Sequence, residues 1–122
     1  MIRLARRTAP QLLVSSSGGG DGKVHDEVAE ASDFLLIHFN SVKLVKDIPS
    51  RIEALKRFHK PIVCNEDDRP VGEVPAAADA AVASGASYGL MLVDLNQRFP
   101  FTFNGAADAP EVYAKYRQLT TR

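Results

Sequence analysis

Apolar residues gather along the chain in four short runs, Gln11 to Ser15, Asp33 to Phe39, Pro61 to Asn65 and Tyr88 to Leu95. Each is rich in Leu, Ile, Val or Phe without clean alternation, the pattern of strands buried on both faces of a parallel sheet. Their centres recur about every 22 to 28 residues, which leaves room for the crossover of a dozen or more residues that parallel neighbours need. The intervening segments carry helical spacing. Val24, Val28 and Ala31 outline a short helix after a Gly-rich stretch, and Ile48, Ile52, Leu55 and His59 form one stripe of a longer one. Ser50 and Glu53 stand at capping-box spacing near its start. Pro75 to Gly85 is Ala-rich, with Pro at its head and Gly just past its end, as helix termini favour. A last helix is expected over Pro110 to Leu119, with Val112, Tyr113, Tyr116 and Leu119 on its apolar face. Met1 to Thr8 reads as another helix or the remains of one.

This order predicts an α/β fold, four βα units forming a parallel sheet in a single domain over residues 1–122. Two architectures accommodate four such units: half of a TIM-type (β/α)8 barrel, or a small open doubly wound sheet. In both, ligands bind beyond the carboxyl ends of the strands, so the polar residues that follow each run mark the functional edge. These are Ser15 to Gly22, His38 to Ser41, Asn65 to Arg69 and Asp94 to Arg98. A half-barrel also has two open sheet edges and an uncovered inner face. Association is therefore expected, with a second copy of the chain or with a separate N-terminal half.

Composition narrows the function classes. With 45% apolar and 25% charged residues the chain is of ordinary globular type. Fifteen Lys and Arg balance fifteen Asp and Glu, which argues against the basic footprint of a general nucleic-acid binder. Cys64 is the single cysteine, so neither an internal disulfide nor a zinc pattern is available. Three scattered histidines without a His-x-x-x-His pair predict no metal site, and no cofactor is expected. Arg6 and Arg7 lend the start the look of a targeting segment, but the apolar run after them is too short for a secretory signal peptide. No stretch approaches the roughly 20 apolar residues that span a bilayer, so no membrane partner is expected.

Candidate chemistry concentrates at Asn65-Glu66-Asp67-Asp68, where three carboxylates follow directly on a predicted buried strand. A carboxylate held rigidly at such a strand end suits a nucleophile or general base, and Glu66 is the best candidate; Asp68 reads as a solvated or turn-capping residue. His38 ends the neighbouring strand, and Asn40 follows it. The Ser15 to Gly22 loop lacks the Gly-Lys-Ser/Thr ending of a P-loop and the dinucleotide spacing, so a flexible loop is the main expectation and a phosphorylated ligand a weaker one. Phe99, Phe101 and Phe103 read as an apolar cover over the sheet.

Lys60-Pro61-Ile62-Val63-Cys64-Asn65-Glu66-Asp67, followed by the Ala-rich helix and Gly85-Ala86-Ser87-Tyr88-Gly89, resembles the end of a retaining glycoside hydrolase barrel of the cellulase and mannanase type. The resemblance implies that the four runs are strands five to eight of a barrel. It implies Glu66 as the catalytic nucleophile, Tyr88 as the aromatic platform beneath a sugar, and His38, Asn40, Asn65 and Asp94 as further substrate-binding residues of a carbohydrate site. The chain departs from the family in having no Trp and in beginning after the strand that carries the acid/base. Retaining hydrolysis needs two carboxyl groups about 5 to 5.5 Å apart. The expected function is thus a glycoside-hydrolase-like half-barrel that is inactive alone, or a non-catalytic binding or assembly module of the same shape.

Overall fold

The computed structural model describes residues 1–121. Its centre is a three-stranded parallel sheet in the order β1 (Leu35–His38), β2 (Ile62–Glu66), β3 (Ala86–Ser87). The helices are α1 (Ile2–Thr8), α2 (Asp26–Ala31), α3 (Ile48–Leu55), α4 (Val74–Ala83), α5 (Val93–Asn96) and α6 (Pro110–Thr120). Sequential strands are spatial neighbours with no reversal of order, and each connection between them carries a helix. The α/β expectation is met. Among the described residues the sheet has three strands, not the four expected.

The outer two of the expected strands are the ones that shrink. Along Gln11 to Ser15, Leu12 and Leu13 are exposed, and the segment joins the sheet only through an isolated parallel bridge between Ser17 and Leu36. It is held at the edge by polar groups: Asp33 accepts from the Val14 amide at 2.8 Å and from Arg6 of α1, and Ser15 Oγ donates to the Phe34 carbonyl. Ser and Gly, which have little to pack on a pleated surface, occupy the stretch where the ladder would extend. At the other edge no part of the expected Tyr88 to Leu95 run is strand, and β3 is only the two residues Ala86–Ser87 before it. Gly89 lies so close to β2 that a Cβ there would stand 3.0 Å from the Cys64 carbonyl oxygen. Beyond it Leu90 and Leu92 turn to a second core with Val74 of α4 and Ala109 and Val112 by α6.

Burial shows that one face of the sheet is packed and the other is not. Leu35, Ile37, Phe39, Ile62, Cys64 and Ala86 are buried, in one cluster with Ile48, Ile52 and Leu55 of α3 and Ala77 and Ala81 of α4. Both helices therefore cover the same face, with alanines on α4 permitting close approach. The alternate residues Leu36, His38 and Val63 are only half-buried, and Ser87 is exposed. The expectation of burial on both faces is corrected accordingly.

Helix ends also differ from the capping expected. Ser50 Oγ donates to the Asp47 carbonyl at 2.8 Å and Glu53 pairs with Lys56, so no capping box forms, and Pro49 opens α3 instead. His59 falls outside the helix at φ 51°, exposed, where the chain turns toward β2. Lys60 has a clear structural part: its Nζ donates to the carbonyls of Ala29, Glu30 and Ser32 at 2.6 to 2.8 Å, satisfying acceptors that the end of α2 leaves free. Among the described residues no helix is long and apolar enough to cross a membrane.

Candidate functional site

The carboxyl edge of the sheet is organised by one irregularity. Leu35, Leu36 and Ile37 pair in step with Ile62, Val63 and Cys64, but His38 pairs with Glu66, so Asn65 is left over on β2. An extra residue of this kind re-aims the side chains that follow it. Strict alternation after buried Ile62 and Cys64 would bury residue 66. Instead Asn65 is exposed, Glu66 keeps 36% of its side chain exposed, and Asp67 is 1% exposed. The shift thus places Glu66 level with His38, with Nε2 and Oε1 3.7 Å apart. That separation is longer than a hydrogen bond. The His38 Nε2 atom is sealed from solvent with no partner among the described residues.

Asp67 sits in a hydrogen-bonded knot. Its Oδ2 accepts from Arg69 Nε at 2.6 Å and from the Tyr88 hydroxyl at 2.8 Å, while Oδ1 accepts from the Arg69 amide. Its own carbonyl accepts from the Met91 amide. Arg69, with 5% of its side chain exposed, also donates through Nη2 to the Val42 carbonyl. Burial alone would lower the Arg69 pKa, but the Asp67 bond and charge outweigh it and hold the guanidinium above its ordinary value. Burial, reinforced by the Asp67 charge, drives the Tyr88 phenol far upward. Burial likewise pushes the Cys64 thiol up to about 11 and the Tyr116 phenol up to about 12. In the neutral range Tyr88 is a hydrogen-bond donor and Cys64 an inert apolar thiol.

The residues implied by the resemblance divide accordingly. Glu66 and His38 come together on neighbouring strands, and Asn65 is exposed beside them. Tyr88 lies near by, but its hydroxyl is fixed on Asp67 and its ring meets Tyr116 edge-on at 6.5 Å, a positioning arrangement in place of a free platform. Asn40 lines a cleft of about 250 Å³ with Asp67, Asp68 and Arg69, and its Oδ1 is buried without a partner among the described residues. Asp94 does not end a strand: it is exposed on α5 and pairs with Arg98 at 3.0 Å. The sequence reading passed over Asp67 and Arg69, the best-buried charges of the edge. Their signal was a cation two residues after an acid in a loop that follows an apolar strand.

Among the described residues no cluster of His, Cys, Asp or Glu is arranged to hold a metal ion. No protein-family model matches the chain, and no curated protein or solved structure is significantly similar to it.

Proposed function

We propose that the chain is a glycoside-hydrolase-like half-barrel that presents Glu66 as a carbohydrate-directed nucleophile and needs a completing partner to supply the acid/base. One observation carries the reading: the register shift on β2 sets the Glu66 carboxylate level with His38 on the half-buried face, at the carboxyl edge of the parallel sheet. The one-sided helix layer and the unreversed strand order fit barrel winding, as they fit one half of a doubly wound sheet. Completion comes from a second copy or from a separate N-terminal half.

The need for a partner follows from the carboxylates at hand. Asp67 is committed to Arg69 and Tyr88, and His38 is the sole ionic partner of Glu66 among the described residues. This same observation favours a second reading, in which the chain binds carbohydrate or assembles without catalysing.

Aryl 2-deoxy-2-fluoroglycosides with a dinitrophenolate leaving group separate the two. Such a leaving group departs without a proton donor, so a competent nucleophile forms a covalent glycosyl ester even when the acid/base is missing. The expected result is one added glycosyl mass on the Glu66 peptide, absent in Glu66→Gln. No adduct on a folded chain decides for the binding or assembly module. Sedimentation as a stable monomer at micromolar concentration, alone and with candidate N-terminal halves, overturns the half-barrel.

A further inference from the structure

A second cleft lies near the same edge, and what is inferred of it is independent of the role of Glu66. A cleft of about 1050 Å³ opens between the Gly19 to Gly22 loop and α3. That volume is at the upper end of what small-molecule sites use. The loop is fixed at several points: the Gly22 amide donates to the His38 carbonyl at 2.9 Å, the Gly20 carbonyl accepts from the Ser41 amide at 2.8 Å, and a Cβ on Gly18 would collide with the Lys23 carbonyl at 2.2 Å. Gly22, at φ +74°, lies against Phe39 and the aliphatic stem of Arg51. Between these pins Gly19 is open, with nothing nearer to a Cβ than Asp21 Oδ1 at 3.8 Å, and its amide has no backbone acceptor among the described residues.

Charge around the cleft is uneven. Lys23 pairs with Asp21 at 3.3 Å and Arg57 with Asp26 at 2.6 Å. Arg51 has no carboxylate partner among the described residues, and its half-buried side chain keeps Nε sealed with no acceptor. An arginine without a carboxylate partner and a glycine loop whose Gly19 amide has no backbone acceptor among the described residues line the same cleft, and together they offer the planar donor fork and backbone donors that phosphoryl oxygens accept.

We propose that this cleft binds a phosphoryl group, carried by a small phosphoester or free, through Arg51 and the Gly19 to Asp21 backbone. Inorganic phosphate and a hexose 6-phosphate, titrated separately into the full chain and followed by amide NMR, test it and distinguish the two sources. The expected result is saturable shifts centred on Gly19, Gly20 and Asp21. Arg51→Met, which keeps the stem against Gly22, should weaken binding about tenfold or more, as loss of a charge-assisted bond implies; Arg51→Lys should restore part of it. Arg117→Gln, an equal charge removal on α6, should bind as the parent does. Unfolding midpoints of all variants establish that they are folded. The proposal is overturned by no saturable shift up to about 50 mM of either probe, by parental affinity in Arg51→Met, or by an equal loss in Arg117→Gln.

Discussion

Glu66 and Asp67 are adjacent in the chain, carry the same functional group and stand at the end of the same strand, yet one keeps 36% of its side chain exposed with a histidine 3.7 Å away while the other lies 1% exposed beneath three hydrogen-bond donors. Of the two, Asp67 has the environment of a structural acid, and Glu66 is the half-exposed one proposed as nucleophile. Rigidity at Glu66 is borrowed from its neighbour: the knot of Asp67, Arg69 and Tyr88 clamps the chain directly after Glu66 and ties it to the segment that follows β3.

Removing the structural acid is expected to have the largest effect. Asp67→Ala leaves the Arg69 guanidinium buried without its counter-charge, and loss of one member of a buried pair costs roughly 3 to 5 kcal/mol. Urea denaturation should show it, and a change below about 1 kcal/mol would contradict the structural assignment.

Alkaline pH should weaken the same region more gradually. Cys64 and Tyr116 titrate near 11 and 12 in the folded chain and nearer 8.5 and 10 when unfolded. Across that window the folded state holds more protons, so stability falls as pH rises. The stabilisation is complete below about pH 8.5 and is lost, by on the order of a few kcal/mol, as the pH passes the folded values. Urea midpoints at a neutral and a strongly alkaline pH check the sign. A flat profile would mean that these groups are better hydrated than the packing indicates.

The smallest change sharpens the contrast most. Glu66→Gln should shift stability by no more than about 0.5 kcal/mol, as expected for a half-exposed position outside the knot, and thermal unfolding beside Asp67→Ala would display the difference directly. A large loss in Glu66→Gln would make both acids structural.

The two central strands were legible in the sequence because Leu35, Ile37, Ile62 and Cys64 are driven inward whatever the rest of the chain does. Tyr88 to Leu95 misled because an apolar run records burial and not what it is buried against; Leu90 and Leu92 serve a second core with Val74 and Val112. At the site, Glu66 and His38 could be placed at strand ends from their position alone. Which of three consecutive carboxylates turns inward could not, since it depends on one unpaired residue on β2 and on Tyr88, a partner 21 positions away.

That unpaired residue, Asn65, makes chain length between Cys64 and Asp67 a variable of its own. Deleting it would change no acidic residue and would let His38 and Glu66 follow Ile37 and Cys64 in step, with Glu66 on the side of Val63 and Asp67 on the buried side of Cys64. A single-codon deletion there would therefore remove the irregularity while leaving Glu66 beside His38 and Asp67 turned inward, so the sides of the two acids follow from their count from the strand.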